Sequence, residues 1–167
     1  MNKRTQELSN EELLGVIWSD AIRHGLGLGY GLVITSGRIF GAKKHPWLTA
    51  NVVLHLGPGS KATQAERARA QEAAAELIAE KEFELPKESV VKILYKAPGH
   101  LSRGHLILSS TDRKIELKLS SLANMAISLT IRPLIISLIQ FSPDRFYDET
   151  TGELITTLLS RGWKAVK

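Results

Sequence analysis

The sequence predicts an α+β fold built on antiparallel strands, and three observations carry that expectation. Residues 30–44 place two β-rich runs on either side of Ser36-Gly37, a strong signal for a tight hairpin. In residues 114–119, Ile115, Leu117 and Leu119 alternate strictly with Lys114, Glu116 and Lys118, the period of a strand with one apolar face. Thr63-Gln-Ala-Glu66 has capping-box form and opens an alanine-rich stretch, 64–81, of high helix propensity.

Ahead of the hairpin, residues 9–25 admit two readings. Ser9 and Glu12 have capping-box spacing, and Leu13, Leu14, Ile17, Trp18, Ala21 and Ile22 recur at helical intervals. The favoured reading is a strand after Leu13, with Val16, Ile17, Trp18 and Ile22 in half of a hairpin; the helix stays open. Gly25-Leu-Gly-Leu-Gly-Tyr-Gly31 misses the spacing of a G-x-G-x-x-G phosphate loop and reads as a flexible strand connection. Pro46 and Gly57 bracket residues 48–56 as a short helix. With a surface helix over 62–80, docked through Leu77 and Ile78, this makes 45–85 a helical insertion.

Beyond Pro86, strands are expected over 90–97, 104–109 and 114–120, with Val91, Ile93 and Tyr95 facing the core and Asp112-Arg113 at the last turn. Ile127, Leu129 and Ile131 alternate with Ser128, Thr130 and Arg132 as one more strand. Pro133 then opens a helix through Phe141, stopped by Ser142-Pro143, and Leu154, Ile155, Leu158 and Leu159 mark a last helix closed by Gly162. Residues 122–141 mimic a membrane span, but Arg132 and Pro133 lie at their middle, and a central Arg costs about 2.5 kcal/mol or more. The run reads as buried protein core.

The chain has 167 residues, 43% hydrophobic and 23% charged, which fits one folded domain and excludes wholesale disorder. Without cysteine there is no disulfide framework, thiolate metal site or cysteine nucleophile, and a reducing cytosol is compatible. The first twelve residues lack the apolar run of a secretory signal, so the expected location is cytoplasmic, with a peripheral place at a membrane left open. A net charge of +5 permits an anionic partner, although lysines mostly alternate with glutamates.

Catalytic and metal patterns are weak. His24, His45, His55, His100 and His105 include no i, i+4 helical pair and no H-E-x-x-H, and no G-x-S-x-G elbow occurs. Glu66, Glu72, Glu76, Glu80, Glu82 and Glu84 fit a solvated face better than an acid–base site. The chain is expected to bind rather than catalyse, with no cofactor and no metal.

The Ser36-Gly37 hairpin, with Thr35 closing its first strand and Arg38-Ile-Phe-Gly41 opening the second, resembles the second and third strands of pleckstrin-homology-like (PH-like) domains of the bacterial PH and GRAM kind. Phe83-Glu-Leu-Pro-Lys-Glu-Ser-Val-Val-Lys-Ile93 is similar to the element that begins their second sheet. The resemblance covers roughly 13–141. It implies an antiparallel barrel of about seven strands with a C-terminal helix and a helical insertion between strands 3 and 4. The domain would occupy 1–145, with a helical extension over 146–167.

It also implies a non-enzymatic module for a protein or peptide, bound at a strand edge or beside the terminal helix. The alternative is a basic module for anionic lipid or nucleic acid. Lipid-binding members cluster Lys and Arg around the first hairpin loop, whereas residues 20–31 offer only Arg23 and His24. The basic candidates therefore lie elsewhere, at Lys92, Lys96, His100, Arg103 and His105, joined by Lys43 and Lys44. Tyr95, expected on the core face, leaves no stacking platform for RNA.

Overall fold

The computed structural model describes residues 10–27, 29–43 and 52–165. Ten strands form two five-stranded sheets. Sheet A contains β1 (Leu13–Ser19), β3 (Tyr30–Thr35), β4 (Arg38–Ala42), β5 (Val53–His55) and β6 (Phe83–Pro86), in the order β5-β1-β3-β4-β6. Sheet B contains β2 (Ile22–Arg23), β7 (Val90–Lys96), β8 (Gly104–Ser110), β9 (Lys114–Leu119) and β10 (Phe146–Asp148), in the order β10-β7-β8-β9-β2. All neighbours are antiparallel except β10 and β7. The helices are α1 (Gln64–Ala79), α2 (Met125–Phe141) and α3 (Ile155–Ser160). The α+β class and the five expected strands are present. Among the described residues no ladder closes the two sheets into one barrel.

Sheet A is covered on both faces. Leu14, Ile17, Leu32, Ile34 and Ile39 meet the inner residues of sheet B and the α2 side chains Ile127, Ile131, Leu134 and Leu138 in one core. Val16, Trp18, Val33 and Phe40 pack on the other side against Ala70, Ala73, Ala74, Leu77 and Ile78 of α1. The three small alanines let the helix approach the strands, so α1 docks over more than its last two turns. Its start is as expected: Thr63 accepts from the Glu66 backbone N–H, and the Glu66 carboxylate returns the bond.

The helical spacing in residues 13–22 has a structural cause. A bulge between Leu13 and Gly15 swings Leu14 onto the face of Ile17, so residues three apart share a side within a strand. Gly15 is where α2 crosses β1: an added Cβ would overlap the Ser137 side chain, whose hydroxyl donates to the Leu14 carbonyl. Glu12 caps no helix. Its carbonyl accepts from the Ser36 N–H at 2.8 Å, and its own N–H donates to Ser36 Oγ at 3.1 Å.

The hairpin turns without a positive-φ glycine. Thr35 Oγ1 accepts from the Gly37 and Arg38 N–H groups, holding the two-residue loop, while Arg38 pairs with Glu11 and Glu84.

Four other expectations are corrected. Val53–His55, expected to be helical, pair with β1 as β5; the part of that helix over 48–51 lies outside the described residues. Residues 127–131 are helical, because α2 starts at the Asn124 cap and carries Pro133 inside it. Burial settles its face: Ile127, Ile131, Leu134, Leu138 and Phe141 are buried at helical spacing, while Leu129 is exposed. Val91 is exposed because the register of β7 shifts between Val90 and Lys92, which puts Val90 in the core instead. Residues 146–148, expected to begin a helical extension, form β10, and Phe146 joins the core. No helix of the described residues is long and apolar enough to cross a membrane.

Two outcomes test this packing. Leu77→Ala should cost about 2–5 kcal/mol in a denaturant titration, whereas exposed Gln71→Ala should leave stability unchanged. Burial opposes ionisation of Glu84, but hydrogen bonds from Arg38 and Lys81 outweigh it and hold the carboxyl below its usual range. A depressed carboxylate stabilises at neutral pH and loses that contribution as pH falls through its folded pKa. Glu84→Gln should cost about 1 kcal/mol at pH 7, since the site is partly screened, and the difference should shrink towards pH 3.

Candidate basic face and end pocket of sheet B

Sheet B buries one face only. Ile93, Tyr95, Leu106, Leu108, Ile115, Leu117 and Leu119 point into the core, so the alternate residues point outward. The strand registers align those outward residues into rows. Arg23 stands opposite Lys118, Lys118 opposite His105, and His105 opposite Lys96, giving one row of three cations and an imidazole across β2, β9, β8 and β7. At about 4.8 Å per strand it spans some 15 Å. Lys114, Ser109 and Lys92 form a second row four residues away, roughly 13 Å along the strands. Between the rows lie Glu116, Ile107, Leu94 and Tyr147.

Of the sequence candidates, Lys92, Lys96 and His105 come together on this face. Lys92 Nζ sits 5.0 Å from the centre of the Tyr147 ring, and His105 Nε2 pairs with the Glu149 carboxylate. Arg103 precedes β8 and lines a pocket of about 340 Å³ at the end of the sheet, together with Arg23, Lys118, Ser120, Ser121 and Asn124. His100 is exposed in the loop between β7 and β8. Lys43 is not part of the face: it follows the end of β4 in sheet A and lies 3.7 Å from Glu82. Lys44 lies outside the described residues. Among the described residues, Arg23, Lys96, Arg103, Lys114 and Lys118 form no ion pair.

Arg23, Lys118 and Tyr147 were not legible as a site. Arg23 and Lys118 are nearly a hundred residues apart and meet only through the pairing of β2 with β9. Tyr147 had a local signal, since Phe146-Tyr147 has strong β propensity between Pro143 and Gly152.

A buried anchor holds β10 in place. One Asp148 carboxylate oxygen accepts from the Thr150 and Thr151 N–H groups at 2.8 and 3.3 Å, and the other from Trp163 Nε1 at 3.1 Å. The Tyr95 hydroxyl donates to the Ala165 carbonyl at 2.6 Å; burial, with the Asp148 charge added, pushes its pKa far above the usual phenol range. Beside this anchor, α2 and the segment after α3 border an apolar trench of about 570 Å³, lined by Ile131, Ile135, Ile139, Leu159 and Trp163. Among the described residues no cluster of His, Asp or Glu could hold a metal ion.

Compared with family models, curated proteins and solved structures, the chain matches none.

Asp148→Ala removes the acceptor of three hydrogen bonds, two of them from the backbone of exposed Thr150 and Thr151 and one from half-buried Trp163, so it should cost about 1–3 kcal/mol in thermal or denaturant unfolding. Amide exchange in β10 should accelerate more than in β8, which has strand partners on both sides.

Proposed function

We propose that this chain is a non-enzymatic binding module of PH-like build, and that the outward face of sheet B receives an anionic partner. The PH-like reading is supported by order and connection. In sheet A, β1, β3, β4 and β6 lie side by side in chain order, as do β7, β8 and β9 in sheet B. The chain passes from β1 in sheet A straight into β2 in sheet B, and α2 follows the last meander strand to pack on β1 and β3.

The cationic row Arg23–Lys118–His105–Lys96 carries the functional reading. Like charges on neighbouring strands destabilise a sheet by a few tenths of a kcal/mol per pair or more, and Arg23 opposite Lys118 is such a pair, so the arrangement costs stability that a bound anion would restore. A water-covered sheet face suits binding better than chemistry, which gains from excluding water. Strand-edge capture of a peptide has less support. The edges β2, β5 and β10 are two or three residues long, and β6 ends in Pro86. A second reading, an apolar peptide seated beside the terminal helix, is favoured by the Ile131–Trp163 trench.

Ionic strength separates the two. Wild type should bind single-stranded oligonucleotides or anionic vesicles at low salt and weaken steeply as salt rises. Changing Lys92, Lys96 and Arg103 together to Glu should lower that affinity at least about tenfold. If wild type shows no salt-dependent binding to either probe, the anionic reading fails and the trench remains.

A further inference from the structure

The trench beside α2 joins an apolar lining to charge of one sign. Along α2, Ile131, Ile135 and Ile139 follow one another at four-residue steps, and Ser128, Arg132 and Ile136 form a second such row beside them. Ile131 and Ile135 are buried, Ile136, Ile139 and Trp163 are half-buried, and Leu159 is exposed. Arg132 and Lys164 complete the charge of the lining, both exposed, and no carboxylate lines the trench. Among the described residues neither of these cations forms an ion pair. Arg132 is also the single charged residue of α2, whose sequence is otherwise apolar, hydroxyl or amide.

Size and backbone chemistry narrow the occupant. From Ser128 to Ile139 the helix advances about 16 Å. The volume, about 570 Å³, falls among those that hold small ligands. Over this stretch α2 bonds its backbone groups largely to itself, so the trench offers few partners for another chain's amides. An extended peptide laid there would bury N–H and C=O groups without hydrogen bonds. A hydrocarbon chain has none to lose.

We infer that the trench binds an unbranched acyl chain ending in a carboxylate, held one molecule at a time. The isoleucines, Leu159 and Trp163 would cover the chain, and Arg132 and Lys164 would meet the carboxylate. Charge complementarity selects the end group: a neutral chain gains nothing from the two cations, and a cationic one is repelled by them. The inference is independent of the anion-binding reading of sheet B, and it gives the trench a different occupant from the apolar peptide.

The test is calorimetric titration of the full chain with dodecanoate, dodecanol and dodecylamine, each below the concentration at which it aggregates. Dodecanoate should bind and raise the melting temperature. Dodecanol and dodecylamine should bind at least about tenfold more weakly, the scale of one charge-assisted contact. Arg132→Glu combined with Lys164→Glu changes two exposed side chains. It should favour dodecylamine over dodecanoate and leave the melting temperature of the free protein unchanged. Ile136→Glu should lower dodecanoate affinity about tenfold or more.

Dodecanol or dodecylamine bound as tightly as dodecanoate would overturn the inference, as would an order of affinities that the double charge reversal leaves in place. Neither heat nor a melting shift with dodecanoate would overturn it too, and would return the trench to the peptide.

Discussion

Because β1, β3 and β4 are apolar on both sides, sheet A needs two covers, and the placement of most other elements answers that need. Sheet B and α2 close one face, and α1 closes the other. Neither cover is loose. Gly15 lets the Ser137 side chain of α2 reach the backbone of β1, and Gly31 lets Leu77 of α1 lie against β3, where a Cβ would collide with it. Side chains at these points would push the layers apart, and close-packed interiors transmit such displacement rather than absorb it.

Sheet B is under the opposite constraint. It has no second cover, so its outward face is largely polar, and the apolar residues on it are shielded, Ile107 being buried and Leu94 half-buried. Solubility alone would be met equally well by alternating signs, as on α1. The face instead concentrates one sign at the end row, with Glu149 drawn to His105 at its margin.

The two sheets differed in legibility for the same reason. Sheet B showed itself because one-sided burial writes a period of two into Lys114–Leu119, and every side of that strand is as expected. The strands of sheet A are buried on both sides and carry little alternation; the Thr35–Arg38 turn betrayed two of them, while β1, favoured as a strand after Leu13, kept a rival helical spacing because of its bulge. In α2 the mimicry ran the other way. Ser128 and Arg132 are exposed but Thr130 is buried and Leu129 exposed, so their alternation with Ile127 and Ile131 is a coincidence that does not follow the helix faces, and Pro133 drew the helix start eight residues too late. Of the site, the single lysines were visible one by one. Their alignment was not, because register between distant strands is a tertiary fact that no local pattern encodes.

The parallel pairing of β10 with β7 also bears on how the chain reaches its fold. Phe146 and Ile155 complete the main core, and the Tyr95 hydroxyl finds its acceptor at Ala165, 70 residues later. A nascent chain emerges from its N-terminal side, so the β7–β8–β9 meander is made well before these partners exist. Until residues 146–148 are made, β7 lacks the partner on one edge, and the Tyr95 hydroxyl lacks its acceptor until residue 165 follows. The β7 edge is thus the part of the meander whose pairing waits longest for its partner.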